Sequence, residues 1–162
     1  MAYSNALVEV KNVDKNTHIE EFAHILPGAN IGEDCNPCDQ TIVENDVVVR
    51  NRMTIKKDAQ LRDGITLEGS IFVRPNAVYT NEKLLLNKQF PESFKRVLSR
   101  KGASVGANAA ILPALIIGQC AMKGVEIIET NDVPDGELLY GNPAKSHDIE
   151  NYLAQWDIGE KG

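Results

Sequence analysis

Aliphatic residues recur along this chain every six positions. From Val13 the steps fall on Ile19, Ile25, Ile31, Pro37, Val43, Val49, Ile55, Leu61, Leu67, Val73 and Tyr79, and ten of these twelve are Ile, Leu or Val. A second series lies four positions after the first: Thr17, Ala23, Ala29, Cys35, Thr41, Val47, Met53, Ala59, Ile65, Ile71 and Ala77. Turn-forming residues such as Gly28, Gly32, Asn45, Asp46, Asp58, Asp63 and Gly64 fall between the two. A period of six matches neither the 3.6 of a helix nor the 2 of a lone strand. It is the period of a solenoid whose hexads each supply a short strand and a corner, with both apolar positions turned inward. Each coil then buries its neighbour's face. The pattern predicts one all-β domain, a parallel β-helix with coils over 13–84 and 102–140.

The rhythm stops after Tyr79 and returns at Val105, Ile111 and Ile117, with Ala109, Leu115 and Ala121 at the second inward position. The step from Tyr79 to Val105 is not a multiple of six. An inserted loop is therefore expected over 83–101, and a loop of that length inside a compact domain points to function. Phe90, Phe94, Val97 and Leu98 give it an apolar helical face. Beyond Ala121 the repeats fade through KGVEIIETNDV, and LLYGNPAK closes the coil. SHDIENYLAQW then predicts a short C-terminal helix over 146–157, with Ser146 as its N-cap. Ile149, Tyr152, Leu153 and Trp156 share the face that would cap the solenoid.

Charge changes the picture at the loop. The chain carries a formal charge of -6, which disfavours nucleic acid as a partner. Within 83–101, however, Lys83, Lys88, Lys95, Arg96, Arg100 and Lys101 face only Glu92, so the loop carries +5 and the remainder -11. A basic arm on an acidic body suits a small polyanion such as a nucleotide diphosphate. The N-terminus lacks the basic and apolar regions of a signal peptide, and no run is apolar enough to span a bilayer. Three cysteines fit a reducing, cytoplasmic compartment. Cys35 and Cys38 form C-N-P-C, but with no second ligand pair they read as small side chains of the repeat rather than a metal site.

The segments THIEEFAHILPGANIGEDCNPCDQTIVEND, FVRPNAVYTNEK, NKQFPESFKRVLSRKGASVGANAAILP and DVPDGELLYGNPAK resemble the left-handed β-helix, hexapeptide-repeat acyltransferases. Within these they are most similar to the N-acetyltransferases of nucleotide-linked amino sugars that feed bacterial O-antigen and S-layer glycans. The resemblance implies a homotrimer with sites between subunits, acetyl-CoA along a groove between coils, and a nucleotide-linked amino sugar held partly by the loop. It implies direct attack of the sugar amine on the thioester, without a metal. Asn81 and Glu82 stand where the similar enzymes carry an Asn-Asp pair, and would orient the amine. Lys83, Asn87, Lys88 and Arg96 would meet the sugar nucleotide. Asn108, Ala109, Ala121, Lys123 and Gly124 would neighbour the cofactor, and Lys145 would meet a CoA phosphate.

This chain departs from that pattern at several points. Leu85 and Leu86 replace a Pro-Arg step, and Arg50, Arg74 and Ala114 stand at corners where glycine is usual. Val125 and Glu126 replace small residues that let CoA approach the backbone. Two alternatives follow: a diverged homologue that keeps the scaffold as a binding protein, and a sugar O-acetyltransferase. A metal-dependent hydratase on the same scaffold would need three convergent histidines, and His18, His24 and His147 are not so spaced. His24 reads as a corner histidine about three coils from Asn81.

Overall fold

The computed structural model describes residues 1–11, 13–82, 91–141 and 144–147. Their strands are short and form three sheets, parallel except for one terminal antiparallel strand, that make the sides of a triangular prism. The first sheet has seven strands: Leu7–Val8, His24–Ile25, Ile42–Val43, Gln60–Leu61, Val78–Tyr79, Ala110–Ile111 and Ile128–Glu129. The second holds Asn30–Ile31, Val48–Val49, Ile65–Leu67, Val97–Ser99 and Ile116–Ile117. The third runs from Asn36–Pro37 through Thr54–Ile55, Phe72–Val73, Ser104–Val105 and Met122–Lys123 to Leu138–Tyr140 and Lys145–His147. The chain visits first, second and third sheet in turn, so partners in one sheet stand one coil apart. His24 pairs with Ile42 and Ile42 with Gln60, each step being three hexads of sequence.

The two inward series are the core. Ile19, Ile25, Val43, Val49, Ile55, Leu61, Leu67, Val73 and Tyr79 are all fully buried, as are Ala23, Ala59, Ile65 and Ala77. Cys35 is a free thiol at an inward position and Cys38 a buried free thiol next to inward Pro37, and burial pushes the Cys38 thiol up to about 11. They serve the core as small side chains. Corners between the third and first sheets repeat a left-handed residue each coil, at Gln40, Asp58, Asn76, Asn108 and Glu126.

Four expectations need correction. The solenoid begins before residue 13, because Leu7–Val8 already pairs with His24–Ile25. That step falls one position short of three hexads, which takes it off the register of the later coils. The inserted loop ends sooner than residue 101. Val97–Ser99 is a core strand, paired with Ile65–Leu67, and the rhythm resumes at Ser99. Gln60 pairs with Val78 at the regular step, and the same step from Val78 would land on Arg96. Val78 pairs instead with Ala110, so the added segment is shorter than the expected loop. Val97 and Leu98 therefore belong to the coil and not to a helical face of the arm, and Arg100 and Lys101 are corner residues. Ser146 is no helix N-cap: Lys145–His147 lies in an antiparallel strand against Leu138–Tyr140. The remainder of the expected helix lies outside the described residues.

The repeat continues past Ala121 for another turn. It is hidden in the sequence because Lys123 and Glu129 occupy inward positions, stacked on Val105 and Ile111. Their side chains are 0% and 5% exposed, with Lys123 Nζ 3.6 Å from Glu129 Oε2. Neither atom has a hydrogen-bond partner among the described residues. Glu129 Oε1 accepts from the backbone N–H of Thr130 and Asn131, both at 3.1 Å. Burial depresses the Lys123 ammonium to about 8, against the pull of Glu129.

Candidate active site

A groove of about 860 Å³ runs along the edge between the third and first sheets. Its walls come from successive coils: Arg74, then Ser104, Gly106 and Ala107, then Met122, Gly124 and Val125, then Leu138 and Tyr140. Two glycines allow this. A Cβ on Gly106 would stand 2.1 Å from the Gly124 carbonyl oxygen, and one on Gly124 would stand 2.8 Å from the Tyr140 Cβ. The floor is thus bare coil backbone in close contact, where no side chain holds an extended chain away. Arg74 sits at the N-terminal end, its guanidinium 4.8 Å above the Phe72 ring. At the other end the Tyr140 ring stacks on His147, with centroids 3.7 Å apart.

The cofactor residues named from sequence divide. Gly124 lines the groove. Lys123 contributes only backbone, since its side chain is turned into the core. Ala109 and Ala121 are 1% and 0% exposed, so their side chains face the core and not a ligand. Both occupy the second inward position of their hexads, and the hexad phase itself places them there. Asn108 is an exposed corner residue whose Oδ1 accepts from Asn76 Nδ2 at 3.0 Å. Lys145 is exposed and in register with Tyr140, at the C-terminal end of the groove. Val125 lines the groove and is 61% exposed, whereas Glu126 turns away at the left-handed corner. Sequence reading missed Arg74, Ser104, Met122 and Tyr140. A partial signal existed: Ser104 and Met122 each precede an inward position and so face outward, but that rule covers neither Arg74 nor Tyr140.

Asn81 and Glu82 stand on another edge, between the first and second sheets, half-buried where the insertion departs. Lys83, Asn87 and Lys88 lie outside the described residues. Arg96 closes the returning limb by placing Nη2 3.2 and 3.1 Å from the two oxygens of Asp46. Both side chains of this pair are more than half exposed, so it is a weak surface pair. Below it, Glu44 accepts from Arg62 Nη1 at 2.6 Å and from the Asp63 backbone N–H at 2.9 Å. Inside the same coil, Tyr79 and Ser99 share a hydrogen bond of 3.0 Å across the base of the insertion. Burial raises the Tyr79 phenol well above its ordinary range.

The histidines are separate. His24 is on a strand rather than a corner, its Nε2 2.8 Å from Glu9 Oε2, and lies three strands from Val78–Tyr79 in the first sheet. His147 is committed to Tyr140, and His18 lies near the N-terminal edge. No cluster of three His, Cys, Asp or Glu that could hold a metal occurs among the described residues.

A three-sided solenoid with a backbone-floored groove and an insertion at a neighbouring edge defines a hexapeptide-repeat acyltransferase on the left-handed β-helix. Known structures share this architecture. A structure of a point variant of AntD, an N-acyltransferase from Bacillus cereus in complex with dTDP and coenzyme A, superposes with a TM-score of 0.64 at 15% identity, covering 85% of this chain and 91% of that one. A hexapeptide-repeat acetyltransferase from Vibrio cholerae complexed with acetyl coenzyme A gives 0.55 at 17%, covering 83% and 68%. No family model matches the chain. The dTDP-3-amino-3,6-dideoxy-alpha-D-galactopyranose 3-N-acetyltransferase of Aneurinibacillus thermoaerophilus is 45% identical over 153 residues, 94% of this chain and 78% of the relative. The chain belongs to the family of nucleotide-linked amino-sugar N-acetyltransferases, in which acetyl-CoA is the co-substrate.

Proposed function

We propose that this protein transfers the acetyl group of acetyl-CoA to the amine of a dTDP-linked amino sugar. The observation that carries this reading is the groove floored by Gly106 and Gly124, in a chain 45% identical to an enzyme of that activity. A lost-activity scaffold and an O-acetyltransferase are not favoured. The pantetheine arm lies over the two glycines, with Val125 against it and Lys145 toward the CoA phosphates. The neutral sugar amine attacks the thioester carbon, and a C–N bond forms. The tetrahedral oxyanion is stabilised by backbone N–H donors of the groove. The C–S bond breaks, CoA leaves as a thiolate, and the amine proton is lost. Asn81 and Glu82 orient the amine, and the Glu82 carboxylate receives that proton.

In one chain, Asn81 and Glu82 are on a different edge from the groove. The first sheet lies between those two edges, and its outward residues include Leu7, Ile42, Val78, Ala110 and Ile128, with Leu7 and Ile128 54% and 60% exposed. Three copies that turn this sheet toward a common axis bring the insertion edge of each onto the groove edge of the next. This supports a homotrimer with sites shared between subunits. Lys83, Asn87 and Lys88 are kept as contacts for the sugar nucleotide on the resemblance alone. A cytoplasmic step in the supply of sugars for lipopolysaccharide or other surface glycans fits this activity. No helix among the described residues is long and apolar enough to cross a membrane.

The test is an acetyl-transfer assay with acetyl-CoA and a panel of dTDP- and UDP-linked amino sugars, read as free thiol and as product mass. Thiol release that depends on an amino sugar and yields an amide product is expected. Thiol release without amide, or an ester on a sugar lacking the amine, would overturn the reading.

A further inference from the structure

We propose that Lys56, Lys57 and Arg74 form a ladder that binds a pyrophosphate at the N-terminal mouth of the groove. Arg74 lines the groove, and Lys56 lies directly beneath it, one coil lower, continuing the register of Thr54–Ile55 with Phe72–Val73. Lys57 is the next residue, its side chain 64% exposed. Successive coils put the backbones of Arg74 and Lys56 roughly 4.8 Å apart, a spacing that matches two linked phosphates. Neither Lys56 nor Arg74 forms an ion pair among the described residues. Among the described residues the ladder's one ion pair is Lys57 with Asp58, at 3.7 Å, and Glu20 and Lys56 both act on the Cys38 thiol. Asp39 lies a coil further down, its carbonyl accepting from the Asp58 N–H. On an acidic chain, three cations gathered at the mouth of a groove, two of them outside any ion pair among the described residues, are a feature that solubility does not require.

Pyrophosphate reaches this site in either of two molecules, since both CoA and a nucleotide-linked sugar carry one. The groove's opposite end already has Lys145 beside Tyr140, so the geometry favours the sugar nucleotide at the ladder. That order places the two phosphate groups at opposite ends, with the reacting amine and thioester between them. The proposal rests on the acetyltransferase reading, and it assigns a phosphate contact to the coil itself.

The experiment is calorimetric titration of dTDP and of CoA into the wild type and into Lys56→Gln/Lys57→Gln/Arg74→Gln. A control variant, Arg50→Gln/Lys101→Gln, removes charge from a different edge. The triple variant is expected to lose roughly 30-fold or more in dTDP affinity, with CoA and the control within about threefold of wild type. A loss confined to CoA supports the ladder with CoA as the source. Wild-type affinity for both ligands in the triple variant overturns the ladder and leaves the acetyltransferase reading standing. A wild type that binds neither ligand overturns both. Circular dichroism and oligomer size of the triple variant separate a binding loss from misfolding.

Discussion

The buried pair Lys123–Glu129 makes a sharp prediction about stability. At 3.6 Å the attraction is about 4–5 kcal/mol for an effective dielectric of 20. Removing two charges from water costs several kcal/mol per ion, so the pair is near balance or unfavourable against apolar residues. Lys123→Met removes an ammonium whose desolvation outweighs the pull of Glu129, so at pH 7 it should stabilise by up to about 3 kcal/mol. That is up to roughly 6–12 °C in melting temperature for a chain of this size. Glu129→Leu alone strands the ammonium and should destabilise by about 3–5 kcal/mol, whereas combining it with Lys123→Met should exceed wild type by about 1–4 kcal/mol, less the value of the two backbone N–H bonds that Glu129 accepts. The pH dependence has a definite sign. Lys123 in the folded protein titrates at about 8, against 10.5 when exposed. Between those values the unfolded chain holds a proton the folded chain has released, so stability rises with pH. The gain approaches about 3 kcal/mol. Urea denaturation of wild type and Lys123→Met from pH 7 to about 10.5 isolates this contribution as a difference. Equal stability of the two proteins at pH 7, or a difference flat across the window, would refute the reasoning.

Other outcomes follow from the same geometry. Gly106→Ala forces a Cβ to 2.1 Å from the Gly124 oxygen. It should cost about 1–3 kcal/mol in urea denaturation and weaken CoA binding in calorimetry. Tyr79→Phe strands the Ser99 hydroxyl and should cost about 1–3 kcal/mol by chemical denaturation, with the acetyl-CoA affinity unchanged. Glu82→Ala and Asn81→Ala should each lower kcat about 100-fold or more, with the oligomer intact by sedimentation. Ile128→Glu should shift the protein toward monomer in the same sedimentation experiment and abolish transfer.

The β-helix was legible in the sequence because each coil repeats one simple rule three times per turn. Every inward position has the same demand, and a run of Ile, Leu and Val at six-residue steps leaves few other solutions. The fold became illegible where that rule bends. Leu7–Val8 pairs one position short of three hexads and drops out of phase. Lys123 and Glu129 sit inward as an ion pair, so the last turn looks like decay of the repeat. Ser99 is a polar inward residue satisfied by Tyr79, which hid the end of the insertion. The groove was harder to read than the fold. Its walls are outward side chains and backbone brought together from positions between Arg74 and Tyr140, and no local pattern marks which outward residues meet. Position in the repeat did decide one matter in advance: Ala109 and Ala121 are inward by phase, and their small size serves the core.

The shared site is tested most directly by mixing two inactive proteins. Ala107→Trp fills the groove and Glu82→Ala removes a corner group. In trimers reassembled from equal amounts, a site pairing a sound groove with a sound neighbouring corner forms at about a quarter of positions. Recovery of about a quarter of wild-type acetyl transfer is the predicted result. No recovery in verified mixed trimers, with wild-type trimers active under the same treatment, would contradict the account.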